Sequence, residues 1–480
     1  MNDTEPPSGS TSSPHDPEQK MTKNVEILTG DPKKAIIALA LPMIVAMLLS
    51  SLYNVVNAIW VAGLGSDALA AVGIVTPIFM IMMGIGVGIG TGATSAIARK
   101  IGANDKQGAD NTAIHALLIT FVLSIILTVI GYVFLADILL LMGAGDLTPL
   151  ALEYGQIIIL GTFFFLFSNI VYGILRGEGD AKRPMYAMVI ASIMNIILDP
   201  FLIYTCNMGI AGAAWGTIIS IFFVCILYVH WIFIKRDTYV TITRAAFTSQ
   251  KTIIFDILKV GLPASVEFIT MAVMALFINW ILIITDGADA VAIFTGGWRV
   301  IMIAIVPLVA IGTAVTAVAG AMYGARRFAE LKESLMYGSK LSVAIAIVIA
   351  LLTFIFAPSI SYLFAYTEGG EHILSSMSDF LRVMVLIYPF AAIGIVASCL
   401  FQGVGKGFTA LAINVMRSLV LICVSAYILG IVLDLKSIGV WWGVVLGDML
   451  GGIIGFCIAL LFTSTLLKNH YRAEQVKRKI

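Results

Sequence analysis

Residues 90–103 read GTGATSAIARKIGA, and residues 312–325 read GTAVTAVAGAMYGA. At a constant offset of 222, Gly90, Thr91, Thr94, Gly102 and Ala103 match Gly312, Thr313, Thr316, Gly324 and Ala325. Two further pairs keep nearly the same register. ALPMIV around Pro42 matches GLPASV around Pro263 at offset 221, and RGEG from Arg176 matches QGVG from Gln402 at offset 226. Three ordered matches at almost one offset mark an internal duplication, so the chain is expected to be two copies of one unit.

The surroundings of these segments say what the unit is. Hydrophobic residues make up 60% of the 480-residue chain and charged residues 12%, against about 25% charged in a soluble domain. Mean hydropathy is +1.00. A soluble protein of this length could not bury so much apolar surface, so lipid is the solvent that fits. Apolar runs long enough to cross a bilayer as helices fall near 35–64, 69–98, 112–140, 150–176, 183–204, 209–234, 252–285, 288–320, 337–364, 375–402, 407–432 and 437–466. A membrane β-barrel would show alternating segments of about ten residues instead.

Six runs fall in each half. An even number gives both halves the same orientation and relates them by an axis along the membrane normal, as in secondary transporters whose pathway runs between two lobes. The expected organisation is a disordered tail (1–34), an amino-terminal six-helix lobe (35–234), a flexible linker (235–251), a carboxy-terminal six-helix lobe (252–466) and a basic tail (467–480).

Charge sets the orientation. Of the 29 Lys and Arg, 24 fall in the two tails and every second loop, Arg176 among them; Lys436 is the one in an opposite loop. Lys259, Arg299, Arg382 and Arg417 fall within runs. This asymmetry places both termini in the cytoplasm of a multi-pass plasma-membrane protein. Trp60, Trp280, Trp441 and Trp442 fall near outer run ends, where indoles favour the interface.

Several functions are excluded. No basic face or recognition motif points to nucleic acid. Cys206, Cys225, Cys399, Cys423 and Cys457 form no C-x-x-C pair, and the five His are scattered. No H-E-x-x-H, G-x-S-x-G or Walker motif occurs, so an enzyme is not expected. Gly84, Gly86, Gly88, Gly90 and Gly92 stand two apart, which presents small residues on two helix faces and allows close packing on both.

Acids inside apolar runs need a reason, because each costs about 2.5–3.5 kcal/mol at the bilayer centre on insertion scales. Asp199 in NIILDP shares a helix face with Asn195 four residues earlier. Pro200 follows and frees a carbonyl. Thr217 in the next run, and Tyr53, Asn54 and Asn57 in the first, offer further oxygens. Such a set suits Na+, whereas a proton needs only the carboxylate. Glu267, one turn after Pro263, and Asp448 are secondary candidates, with Arg417 as a counter-ion for a carboxylate. The stretch Phe79–Met83 and the triplet Phe163, Phe164 and Phe165 suit loose apolar binding, though packing explains most of them.

LPMIV, LYNVVNAIWVAGLG from Leu52, GTGATSAIARKIGA, LRGEGDAKRP, NIILDP, GAAWGT, GLPAS and FQGVGKG together resemble the multidrug and toxic compound extrusion (MATE) family of prokaryotic type, over about residues 31–466. The resemblance implies an all-α membrane protein with twelve transmembrane helices in two pseudo-symmetric lobes around a central cleft. It implies alternating-access export of organic cations or lipophilic drugs in exchange for Na+ or H+, without a cofactor, by a monomer in contact with membrane lipid. Carried over by motif, the coupling site uses Asp199, Asn195 and Thr217, with Tyr154 and Asn169 as looser matches. The family usually has an acid where this chain has Asn57, which leaves Asp199 as the one titratable group of the pocket. The alternatives are a flippase for a lipid-linked substrate, which would need a cationic cleft, a membrane-embedded enzyme, and a non-transporting receptor or scaffold.

Overall fold

The computed structural model describes residues 21–243, 246–364 and 373–479. Lipid offers no hydrogen-bond partners, so apolar runs satisfy their own backbone as helices. These are α1 (Lys23–Thr29), α2 (Pro32–Ala62), α3 (Ser66–Gly102), α4 (Lys106–Leu141), α5 (Thr148–Leu160), α6 (Thr162–Gly177), α7 (Lys182–Pro200), α8 (Gly209–Val229), α9 (Lys251–Asp286), α10 (Ala288–Gly324), α11 (Phe328–Phe364), α12 (Leu374–Met384), α13 (Ile387–Gly403), α14 (Gly407–Val415), α15 (Cys423–Tyr427) and α16 (Lys436–Lys479). Short π-helical turns extend α7, α8 and α15 and join α14 to α15.

Ten of the described helices, with their extensions, are long and apolar enough to span alone. Two bent pairs, α5–α6 at 46° and α12–α13 at 47°, bring the number to twelve. The bends fall in the fourth span of each half, so the kink is duplicated with the sequence. Gly161 marks the first. In the second, Pro389 cannot donate to the Val385 carbonyl, which accepts from the Tyr388 N–H at 3.3 Å instead.

The duplication governs the contacts as well. Thr94 Oγ1 donates to the Gly173 carbonyl (2.7 Å), and its repeat mate Thr316 donates to the Cys399 carbonyl (3.1 Å). A Cβ on Gly102 would strike Ala321, and one on Gly324 would strike Arg99. These two contacts exchange under the offset of 222, as a two-fold relation between lobes requires.

Gly84, Gly88 and Gly92 of α3 face α9, where a Cβ would meet Phe268, Ser265 and the Ile257 carbonyl. Gly86 and Gly90 face Asn169 of α6. Both glycine faces of α3 are therefore used, one between lobes and one within a lobe.

One apolar core unites the two lobes at their basic ends, including Ala93, Ile97 and Ile101 with Ala314, Val318 and Ala321. Ser95 Oγ donates across it to the carbonyls of Gln402 and Gly403, and Arg99 pairs with Asp256 at 3.0 Å. At the other end each lobe has its own core, one around Val75 and Leu135, the other around Ile281 and Phe380. The bundle is thus closed at the basic end and divided at the opposite one.

Three expectations are corrected; the basic tail (467–480), of which no secondary structure was expected, is helix to Lys479 as the end of α16. Residues 1–20 lie outside the described residues, but 21–34 are not a loose tail. Thr22 and Asp31 cap α1 and α2, Val25 and Leu28 are buried, and Arg327 donates to the carbonyls of Thr29 and Gly30. The described linker residues are strapped to the amino-terminal lobe rather than flexible. Asp110 accepts from the Thr241 N–H (2.8 Å), Glu178 from Val240 (2.9 Å) and His115 Nε2 from Gln250 (3.3 Å), while Asn111 both donates to and accepts from the Thr248 backbone. Trp441 is buried against Phe380 instead of sitting at an interface.

Candidate functional site

α7 runs apolar until Asn195 and Asp199, one turn apart, turn the same way. Pro200 then removes an N–H, and the helix loosens into the π turn Phe201–Thr205. Asp199 therefore sits where the regular backbone ladder is interrupted. It is fully buried. Gly216 of α8 makes room for it, since a Cβ there would collide with Asp199 Oδ1.

Asn57 of α2 donates from Nδ2 to Asp199 Oδ2 at 2.9 Å, and Asn195 Nδ2 donates to Thr217 Oγ1 at 3.4 Å. Tyr53 stands one turn before Asn57 on α2, and Tyr154 of α5 packs against the core around Met82 and Phe165. Two oxygens remain without a hydrogen-bond partner although buried: Asp199 Oδ1 and Asn195 Oδ1. Buried acceptors of this kind are costly and call for a donor or a cation. Carboxylate, amide and hydroxyl oxygens form a hard-ligand set suited to a small cation.

Beside this cluster lies a cavity of about 350 Å³. Tyr53, Asn54, Asn195 and Thr217 form part of its wall; Asp199, one turn beyond Asn195 on α7, does not line it. Asn169 also reaches the wall, but its Nδ2 donates to the Phe165 carbonyl and it makes no hydrogen bond to the Asp199 cluster. Asn54 likewise donates to the Ser50 carbonyl. Phe79, Met83 and Phe165 supply apolar wall, whereas Met80 is exposed away from it and Met82 packs in the core. Val309 and Thr313 of α10 bring the second lobe to the rim.

The secondary candidates form a separate group in the carboxy-terminal lobe. Glu267 Oε1 accepts from Gln402 Nε2 at 3.1 Å. Half-buried Arg417 pairs with buried Asp448 at 2.9 Å, so the counter-ion role expected of Arg417 is played toward Asp448. That pairing gives Asp448 a packing partner and sets it apart from the cluster on α7.

Arg176 departs from its expected place in a loop. It belongs to the last turn of α6, is only 4% exposed, and lines the cavity. Its guanidinium donates to Thr94 Oγ1 (3.1 and 3.0 Å) and Thr91 Oγ1 (3.4 Å) and lies 5.3 Å from the Tyr172 ring centroid. Counting basic residues by loop hid it, because it stands one residue before the span ends.

Two six-span lobes joined at one end, with a part-polar cavity walled chiefly by the amino-terminal lobe, have the architecture of a membrane transporter. The MatE family profile matches residues 42–201 and 263–428, one block in each lobe, and the chain belongs to that family. It is 26% identical over 457 residues to the probable multidrug resistance protein YoeA of Bacillus subtilis, covering 92% of this chain and 94% of that one. It is 24% identical to the multidrug export protein MepA of Staphylococcus aureus, covering 90% and 94%. Among solved structures, an outward-facing multidrug resistance MATE family transporter of the MOP superfamily superposes with a TM-score of 0.91 at 41% identity, over 94% of this chain and 100% of that one. A MATE crystal structure in a straight conformation gives 0.91 at 40%, with the same coverage.

Proposed function

We propose that the protein exports lipophilic and cationic small molecules across the plasma membrane, driven by Na+ or H+ bound at Asp199. The observation that carries this reading is the pair of unpartnered buried oxygens, Asp199 Oδ1 and Asn195 Oδ1, on one helix whose Asn195 lines the cavity together with Thr217. An entering cation satisfies both oxygens. Substrate occupies the neighbouring apolar part of the cavity, next to Phe79 and Met83. Asn57 serves as a neutral partner where the family resemblance implies a second acid, so one charge is exchanged at this site.

With both termini cytoplasmic, the fused basic end faces the cytoplasm and the divided end faces out. Alternating access then requires the α3–α9 interface and the Arg99–Asp256 pair to part while the outer ends close. The two lobes act as the moving units, and the linker strapped to the first lobe is carried with it. Exchange of one monovalent cation for one monovalent cationic drug is electroneutral, so the ion gradient alone would drive it. The multidrug names of the relatives support a broad substrate range.

The test is transport in proteoliposomes with a Na+ gradient and a pH gradient imposed separately, following a fluorescent cation. Dependence on one gradient identifies the ion, and Asp199→Asn is expected to abolish it. Dependence on neither gradient, or coupling that persists in Asp199→Asn, refutes the proposal.

A further inference from the structure

We infer that Arg176 is a receptor for an acidic group on the substrate, so that among lipophilic and cationic molecules the cavity favours those that also bear a carboxylate, sulfonate or phosphate. This rests on the transport reading above and adds to it the substrate chemistry at one end of the same cavity.

The other buried or half-buried arginines of the bundle have acidic partners. Arg99 has Asp256 (3.0 Å), Arg183 has Asp180 (3.1 Å) and Asp237 (2.8 Å), and Arg417 has Asp448 (2.9 Å). Arg176 is more buried than any of these, and among the described residues no carboxylate bonds it. Its partners are two threonine hydroxyls and an aromatic face, all neutral. The C-terminal end of α6 and the Tyr172 ring offset part of the cost of keeping this charge out of water. They do not replace a counter-ion.

The duplication shows where a counter-ion would have been built in. Under the offset of 226, Arg176 corresponds to Gln402, and Gln402 bonds the acid Glu267. Under the offset of 221 that holds for the first span of each half, Glu267 corresponds to Ala46. The second half thus has an acid facing an amide. The first half has an arginine, a methyl group at the acid's place, and an open cavity. A guanidinium held by threonines at the wall presents its remaining donors to the space where substrate sits, and its fork matches an oxyanion. Apolar walls at Phe79 and Met83 take the rest of such a molecule.

The experiment compares two xanthene dyes differing only in one group: rhodamine 6G, an ester, and rhodamine 19, its free acid. Binding to purified protein is measured by fluorescence polarisation, and uptake is measured in proteoliposomes. A short-chain fluorescent phosphatidic acid and inorganic phosphate compete against rhodamine 19, to separate a lipid headgroup from a free anion. In Arg176→Gln the ratio of acid to ester affinity is expected to fall about tenfold, the size of a lost charge-assisted hydrogen bond. Arg176→Lys should restore most of that ratio. A ratio that stays the same in Arg176→Gln, or that falls equally in Arg176→Lys, overturns the inference. Absence of gradient-driven uptake of either dye counts against the transport reading, while the binding ratio still decides the role of Arg176.

Discussion

Asn57→Asp introduces the first-span acid that the resemblance to the MATE family implies, and the structure fixes what it should do. Asn57 Nδ2 lies 2.9 Å from Asp199 Oδ2. The substitution removes a hydrogen bond to a charged group and places a second carboxylate against the first. At an effective dielectric constant of 20, two unit charges at that separation repel by about 6 kcal/mol. A cation entering between them relieves this repulsion, and so does a proton. If a third of it is realised as added cation affinity, about 2 kcal/mol, binding tightens about thirtyfold. Thermal unfolding of the purified protein in detergent reports this directly, because a ligand bound only by the folded state raises the melting temperature with its concentration. Titration with NaCl at alkaline pH, against N-methylglucamine chloride at equal ionic strength, should show a larger Na+-dependent rise for Asn57→Asp than for the parent. It should also show a lower melting temperature without Na+, and no rise in Asp199→Asn. A proton-coupled site would show the same pattern when pH is varied instead. If Asn57→Asp melts like the parent at every Na+ concentration and every pH, the two side chains do not share a cation site and the argument fails.

Three other outcomes follow from the packing. Gly92→Ala should cost about 1–3 kcal/mol, since its methyl group would collide with the Ile257 carbonyl across the lobe interface; unchanged melting in detergent would show that the two lobes yield there. Asp448→Asn leaves half-buried Arg417 without its counter-ion, and a penalty of about 1–3 kcal/mol is expected, with Arg417→Met in the same background recovering part of it; a wild-type melting temperature for Asp448→Asn would refute the pairing. Burial raises Glu178 to about 8, with Asp180 also raising it and the Val240 N–H, Arg183 and Lys106 pulling it down. The folded chain therefore keeps a proton that the unfolded chain releases above about 4.5, and stability falls as pH rises through that window, by at most about 1.4 kcal/mol per unit. Proteolysis of the linker near Val240 should be faster at pH 8.5 than at 6.5, and Glu178→Gln should flatten the difference; an equal pH effect in the variant would remove Glu178 as its source.

Much of the fold was legible in the linear sequence because lipid imposes its rules residue by residue. Run length gave the number of spans, glycines two apart gave both packing faces of α3, and the offset of 222 gave the two-fold relation seen at Gly102 and Gly324. Asp199, Asn195 and Thr217 were legible for the same reason: polar oxygens are expensive in hydrocarbon and stand out against it.

What the sequence could not provide was proximity across the bundle. Asn57 and Asp199 are 142 residues apart, and only the crossing of α2 against α7 makes them partners. Arg417 was expected to be a counter-ion, but only α16 determined that its carboxylate is Asp448. The linker looked free because its composition is polar, yet backbone N–H groups bond wherever the lobe offers Asp110, Glu178 and His115. Arg176 was read as a loop residue because a one-residue boundary decides its side, and only the packing of α6 against Thr91 and Thr94 turns it inward. Composition and periodicity act along the chain and settle which segments enter the membrane. Which charges meet inside it depends on helix crossings, where each contact is fixed by two segments at once.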